Sequence, residues 1–363
     1  MINDFVEYWA AARLLLNGGN PYSPAELIQM QREIGWSQPL PLIMWNPPWT
    51  LSFTLPFGLF DYGTRQFAWF LLHTLIVFVG SQSLWQVYGG DPQQSRYAWL
   101  SVLTFAPTYF ALLLGQIAPL ILLGLLGFLI FARRKAWALA GASMTLVSVK
   151  PHLLYLVWLA LACWIVNERQ WRLLAGLIFG GAIVVSIPVL FDRTIFLQYV
   201  DLIRSGNVLR PTDWATPTLG TASAELLAIR GLWIRWLPSL AGGLWFLWYW
   251  SRHARMWDWI SELPLILLVS VATASFAWTF DYIVLLPAVI QCAVWTARSE
   301  RKWQQRRVSS IYWAVAATLL LGKFFVRNDF WYFWVAPAFL MFYLYVRSTM
   351  RVQLANSQKQ FVA

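Results

Sequence analysis

RLLAGLIFGGAIVVSIPVLF, residues 172–191, decides the fold class. After Arg172 the run carries no charge and no amide side chain. A helix needs about 20 consecutive, mostly apolar residues to cross the hydrocarbon core of a bilayer. The apolar residues are continuous rather than alternating, which is the pattern of a spanning helix and not of a barrel strand. The rest of the 363-residue chain agrees: 59% of it is hydrophobic and 12% charged. A soluble domain usually carries about 25% charged residues. The chain therefore reads as an all-α polytopic membrane protein. Most of its 25 Trp are expected in interfacial belts. Cys163 and Cys292 fall inside apolar runs, so no disulfide is expected. Residues 1–12 lack the basic start and apolar core of a cleavable signal.

Spans are expected at 65–88, 97–114, 117–132, 136–149, 152–166, 172–191, 232–250, 262–279, 282–297, 308–326 and 330–347, about eleven in all. Their connections differ in charge. One alternate set holds Arg96, RRK at 133–135, Arg169, Arg172, Arg252, Arg255, RSERKWQQRR at 298–307 and Arg347, Arg351 and Lys359. Lys and Arg retained on the cytoplasmic side mark that set as inside. The net charge of +11 is then a signal of topology and not of nucleic-acid binding. The other set, which faces out, carries the longer polar connections, so function is expected on the outer face. The chain reads as one domain, 1–363. Residues 1–64 form a first outer loop with interfacial or re-entrant helices, 65–191 hold six spans, and 192–231 form an outer loop or lid. Residues 232–347 hold five more spans, and 348–363 form a cytoplasmic tail. An odd number of spans puts the first residue outside, and a membrane helix is expected to precede this segment. The segment PPWTLSFTLPFGLF at 47–60 is too short to span and is broken by Pro56.

The outer face holds the candidate chemistry. Asp4 opens a helical stretch, which suits an N-cap, and it is equally a carboxylate above the bilayer that can deprotonate a hydroxyl as general base. Tyr8 shares its helix face and is a candidate substrate contact. Gly18 and Gly19 stop that helix, and Pro21 and Pro24 fix its exit. Tyr22, Asn46 and Gln116 are polar groups that can meet a sugar; belt, cap and headgroup roles are the alternatives. Lys150 and His152, in SVKPHLL, lie where Lys is scarce. They suit a lipid phosphate, whose charge grows as a bond to it breaks, or a snorkelling cation. The loop 192–231 carries Arg193, Arg204, Arg210 and Arg230. Arg204 and Arg210 can hold a phosphate bidentately. Asp281 and Tyr282, with Trp278, end one span on the outer side and can contact sugar hydroxyls; an ionisable group idle at the membrane boundary is the alternative. No metal-ligand spacing, P-loop, dinucleotide fingerprint or nucleophile elbow is present, so no metal and no cofactor is expected.

These pieces stand in an order that resembles glycosyltransferase family 87, a group of the GT-C superfamily. The resemblance rests on DFVEYWAAARLLLNGGNPY at 4–22, WNPPW at 45–49, GQIAPLILL at 115–123 and VKPHLL at 149–154. Trp45 stands where Tyr is usual, and Asp281 where His also occurs. The resemblance implies a GT-C-type fold and an inverting transfer of a hexose, often mannose, from a polyprenyl-phosphate sugar to a lipid or glycan acceptor on the extracytoplasmic face. It assigns the base to Asp4. The expected partners are membrane lipids, the donor and the acceptor, with no nucleic acid. The protein is expected to be a multi-pass monomer of the plasma (inner) membrane. A lipid or glycolipid transporter or flippase is the competing reading. A transporter would place its ionisable residues at mid-membrane on broken helices; here they cluster at outer helix ends and loops.

Overall fold

A computed structural model describes residues 2–205, 213–228 and 231–360, with residues 232 and 350–360 described by backbone alone. Among the described residues the regular elements are helices. They are α1 (Phe5–Leu16), α2 (Pro24–Glu33), α3 (Leu51–Gly58), α4 (Tyr62–Val87), α5 (Arg96–Thr104), α6 (Ala106–Leu114), α7 (Ala118–Arg133), α8 (Trp137–Val147) and α9 (Tyr155–Glu168). Then follow α10 (Trp171–Phe191), α11 (Ile195–Arg204), α12 (Leu219–Leu226), α13 (Leu232–His253), α14 (Trp259–Thr273), α15 (Leu286–Arg298), α16 (Lys302–Phe325) and α17 (Val335–Gln360).

Each expected span coincides with a helix or a helix pair, but not each is long enough to cross. Among the described residues five stretches have the length and composition for it: α4, α10, Thr279–Arg298, α16 and Asp329–Thr349. A sixth is the pair Pro92–Thr104 and Ala106–Leu114, bent by 63° at its break. Pro107 lies just past that break and cannot donate into a continuous helix. Of the other expected spans, α7, α8, α9 and α14 fall short in length, while α13 has 22 residues and falls short in composition. Helix α8 has 11 residues, which at about 1.5 Å per residue covers about half of a bilayer core. Lipid is nonetheless the medium these helices require. Only 22% of the apolar window of α10 is buried within the protein, and 17% of that of α16. Leu190 is 82% exposed and Phe325 86%, an arrangement unfavourable in water.

The chain divides into two compact units, each made of three separate segments. The first comprises residues 1–76, 110–151 and 169–214. In it α8 packs tightly on α10. A Cβ on Gly141 would lie 2.0 Å from the Leu173 carbonyl oxygen, and one on Gly176 1.9 Å from that of Ala138. Small residues of this kind let membrane helices approach backbone to backbone. Helix α1 packs on α3, where the Arg13 Nη1 donates to the Gly58 carbonyl at 3.1 Å and Trp9 Nε1 to that of Phe60 at 3.0 Å. The sequence suggests an interfacial helix here. In the structure α1 is buried within the protein nearly all round, from Phe5 to Ala12 and at Leu14 and Leu15, with Glu7 among the buried residues. Ser23 caps α2 through the Glu26 N–H, with Pro24 in the first turn.

The second unit comprises residues 77–109, 152–168 and 215–363. Its core is α14, against α9, α13 and α17. Two polar contacts tie α14 to the segment of α9: Ser270 Oγ donates to the Leu153 carbonyl at 3.0 Å, and the Tyr155 and Thr273 hydroxyls pair at 2.7 Å. Cys163 and Cys292 are free thiols.

Candidate active site

The first unit gathers four sequence motifs around Asp4. Asp4 stands at the N-cap position of α1, yet its side chain makes no capping bond. Asn3 does that work, its Oδ1 accepting from the Phe5 N–H at 3.2 Å. The carboxylate is left for another partner, and Gln116 Nε2 donates to its Oδ2 at 2.7 Å. The Gln116 amide is itself oriented, because the Tyr8 hydroxyl donates to its Oε1 at 3.3 Å. Tyr8 is one helical turn from Asp4, is fully buried and stacks on Trp69 with ring centroids 5.7 Å apart. Burial holds the Asp4 carboxyl above the ordinary carboxylate range, against the opposing pull of the Gln116 hydrogen bond and of the Lys150 charge. A raised pKa makes the carboxylate a stronger base.

The turn that presents Gln116 depends on Gly115. Its φ is +70°, and a Cβ there would lie 2.9 Å from the Asn3 side chain and from Phe5 Cβ. Its carbonyl accepts from Trp69 Nε1 at 2.9 Å. The Asp4 N–H is tied to the same turn through the Leu114 carbonyl, at 2.9 Å. A Gly115→Ala variant is expected to lose about 1–2 kcal/mol from the left-handed conformation alone and more from the displaced Asn3. Thermal unfolding of the purified chain measures this; an unchanged midpoint would contradict this description of the turn.

Lys150 is placed by a second set of contacts. Asn46 Nδ2 donates to the Val149 carbonyl at 3.1 Å, and Trp49 Nε1 to that of Ser148 at 3.2 Å. WNPPW is therefore the scaffold of the turn that carries Lys150. That scaffold is pinned in turn: the Tyr22 hydroxyl donates to the Asn46 carbonyl at 3.4 Å and the Tyr199 hydroxyl to that of Trp45 at 3.0 Å. Burial raises the Tyr22 phenol well above its ordinary pKa, so it stays a donor. Tyr8, Tyr22 and Asn46, expected as sugar contacts, are buried, and their hydrogen bonds engage them inside the protein. Arg204 is exposed at the end of α11, a helix that packs on the 48–50 segment. Arg210 lies outside the described residues.

The remaining expected residues belong to the second unit. His152 is exposed, its ring set edge-on to Phe276 at 6.4 Å. Asp281 is 2% exposed and accepts from the Trp278 N–H at 3.0 Å. Tyr282 is buried and donates to the Pro217 carbonyl at 2.6 Å. Burial gives these two side chains the work of shaping the 278–285 turn rather than an open surface for sugar. Among the described residues no group of His, Cys, Asp and Glu is placed to hold a metal ion. Two contributors, Asn3 and Trp69, escape a reading of the sequence. Asn beside Asp at a helix start is the available signal for the first; the second has none among so many Trp.

The family model of glycosyltransferase family 87 matches residues 45–277. The matched region includes WNPPW, the Gln116 turn and Lys150, while Asp4 precedes it. No curated protein and no solved structure matches the chain.

Proposed function

From the premise that this chain belongs to glycosyltransferase family 87, we propose that it transfers a hexose, mannose, from a polyprenyl-phosphate sugar to a hydroxyl of a lipid or glycan acceptor. The observation that carries the reading is the Asp4 carboxylate, relieved of capping by Asn3, held by Gln116 and lying within the field of Lys150. The acceptor oxygen attacks the anomeric carbon while Asp4 takes its proton. The bond from that carbon to the phosphate oxygen breaks, and the electron pair leaves with polyprenyl phosphate. Lys150 offsets the charge that develops there, with Arg204 and Arg210 as further phosphate ligands from the outer loop. Tyr8 and Gln116 position the base; Tyr22 and Asn46 position Lys150. A single attack inverts the anomeric configuration.

The setting in this reading is the inner membrane, with about eleven membrane-embedded helices and the site on the extracytoplasmic side. The charge asymmetry of the connections supports it. In a background lacking both native thiols, Asn20→Cys is expected to react with a membrane-impermeant maleimide on intact cells. Labelling only after lysis would reverse the topology. The donor is tested in proteoliposomes of the full chain supplied with polyprenyl-phosphate-mannose or with a nucleotide-linked mannose. Transfer is expected from the lipid donor alone. Transfer from the nucleotide sugar, or movement of the intact lipid between leaflets without cleavage, would overturn the proposal.

A further inference from the structure

The second unit holds a pocket of about 330 Å³ that the proposed reaction does not use. It lies between α5, α15 and α16, each of which supplies a stripe at helical spacing. Tyr97 and Leu100 come from α5, Ala293 and Ala297 from α15, and Ser309 and Trp313 from α16. Its volume is near the lower end of small-molecule sites, about 300–1,000 Å³. The inner part is not uniformly apolar. The Thr104 and Tyr312 hydroxyls pair at 3.0 Å, and Tyr312 reaches the Ser101 carbonyl at 3.4 Å. The helix break after Thr104 adjoins it, and irregular backbone at membrane depth is tolerated where it lines protein or a cavity.

What surrounds the pocket identifies its occupant. The lining residues Tyr97, Ala297 and Gln305 are each next in sequence to an arginine: Arg96, Arg298 and Arg306. All three are exposed. Arg301 and Lys302, also exposed, begin α16 on the same side, against the acid Glu300 in that connection and Asp91 before α5. Arg298 donates to the Gly89 carbonyl, which anchors it beside the connection before α5. Tyr97 is 38% exposed, Leu100 47% and Trp313 48%, so the apolar wall continues outward from the pocket. An apolar slot with exposed arginines at the ends of the same helices is complementary to an amphiphile with an acyl chain and an anionic head. Basic clusters of this kind at membrane helix ends select anionic lipids.

We propose that this pocket binds an anionic diacyl phospholipid, with one acyl chain between α5, α15 and α16 and the phosphate headgroup at Arg96, Arg298 and Arg306. The site belongs to the basic, cytoplasmic ends of these helices and is distinct from the Asp4 site. Its occupancy ties the α5 segment to α15 and α16, so the lipid stabilises this unit.

The test purifies the full chain in detergent and measures retained lipid by native mass spectrometry after addition of dioleoyl phosphatidylglycerol or dioleoyl phosphatidylcholine. The wild type is expected to retain the anionic lipid at least tenfold better and to melt higher in its presence. Arg96→Gln with Arg306→Gln, both on the surface, is expected to abolish that preference. Ala293→Trp, which fills the slot, is expected to abolish retention of both lipids; Ser309→Leu serves the same end should Ala293→Trp not fold. Equal retention of the two lipids by the wild type would overturn the proposal, as would undiminished preference in the double arginine variant. Displacement of phosphatidylglycerol by an equal amount of polyprenyl phosphate would also overturn it, making the pocket a second substrate site.

Discussion

Asp4→Asn is expected to lower the turnover rate by about 10²–10⁴-fold, the usual contribution of a positioned general base. Asparagine keeps the size of the side chain and an oxygen that can still accept from Gln116 Nε2. What it cannot do is take the acceptor's proton. The loss should therefore appear in kcat with little change in KM. Stability should move the other way. Because burial raises the folded-state pKa of Asp4, the folded protein binds the proton more readily than the unfolded chain does. Stability attributable to this group is present at low pH and is lost as pH rises through the raised pKa. At neutral pH the ionised wild-type carboxylate is thus a cost, and the Asn variant should be at least as stable as the wild type. A variant both inactive and markedly destabilised would point to a merely structural role.

The pH profile sharpens the same prediction. Activity of a base falls as pH drops through its pKa, so the acid limb of kcat/KM should lie above the ordinary carboxylate value of about 3.9. Lys150 opposes that elevation through its charge. Lys150→Met should therefore move the acid limb further up while also weakening the handling of the phosphate. An acid limb that stays in place would remove Lys150 from the neighbourhood of the base.

The second large effect is expected far from the chemistry, in the core of the second unit. Arg347 Nη2 donates to both carboxylate oxygens of Glu262 at 3.0 Å, and the Tyr249 hydroxyl donates to Glu262 Oε2 at 2.7 Å. Both charged residues are buried, at 8% and 7% exposure. Removing one partner of such a pair leaves an uncompensated buried charge, which costs about 3–5 kcal/mol. Glu262→Leu is accordingly expected to destabilise the protein by that much. Glu262→Leu combined with Arg347→Met should recover most of the loss, since an apolar replacement of both partners is often neutral. Unfolding midpoints of the four proteins of the double-mutant cycle measure this. A single variant as stable as the wild type would mean that the pair does not hold α17 to α14.

These two residues also show where sequence reading stops. Hydropathy puts both at the ends of expected spans, and it does not show that these two helical residues pair with each other. Their charges cancel, so the asymmetry that orients the chain rests on the other loops. The helices themselves are legible, because an apolar run is a local property. Their lengths are less so: 97–114 reads as one continuous span and is broken after Thr104. At the candidate site Asp4 is legible as a carboxylate with two roles. The structure shows only that the Asp4 side chain makes no capping bond, an asparagine one residue earlier accepting from the Phe5 N–H. The links from Tyr8 to Gln116 and from Asn46 to Val149 join residues more than a hundred positions apart. No periodicity encodes such a contact. Tyr22 and Asn46 look like sugar ligands because polar groups in an apolar chain draw the eye. The structure occupies both of them in holding the turn before Lys150.

The most direct measurement follows one turnover of the reconstituted full chain with labelled polyprenyl-phosphate-mannose, for the wild type and for Asp4→Asn in parallel. The wild type is expected to release polyprenyl phosphate and to form mannosylated acceptor in equal amounts. The anomeric configuration of the product should be opposite to that of the donor, and the Asn variant should form almost none. Retained configuration, or transfer that survives in the Asn variant at the wild-type rate, would contradict a single displacement with Asp4 as its base.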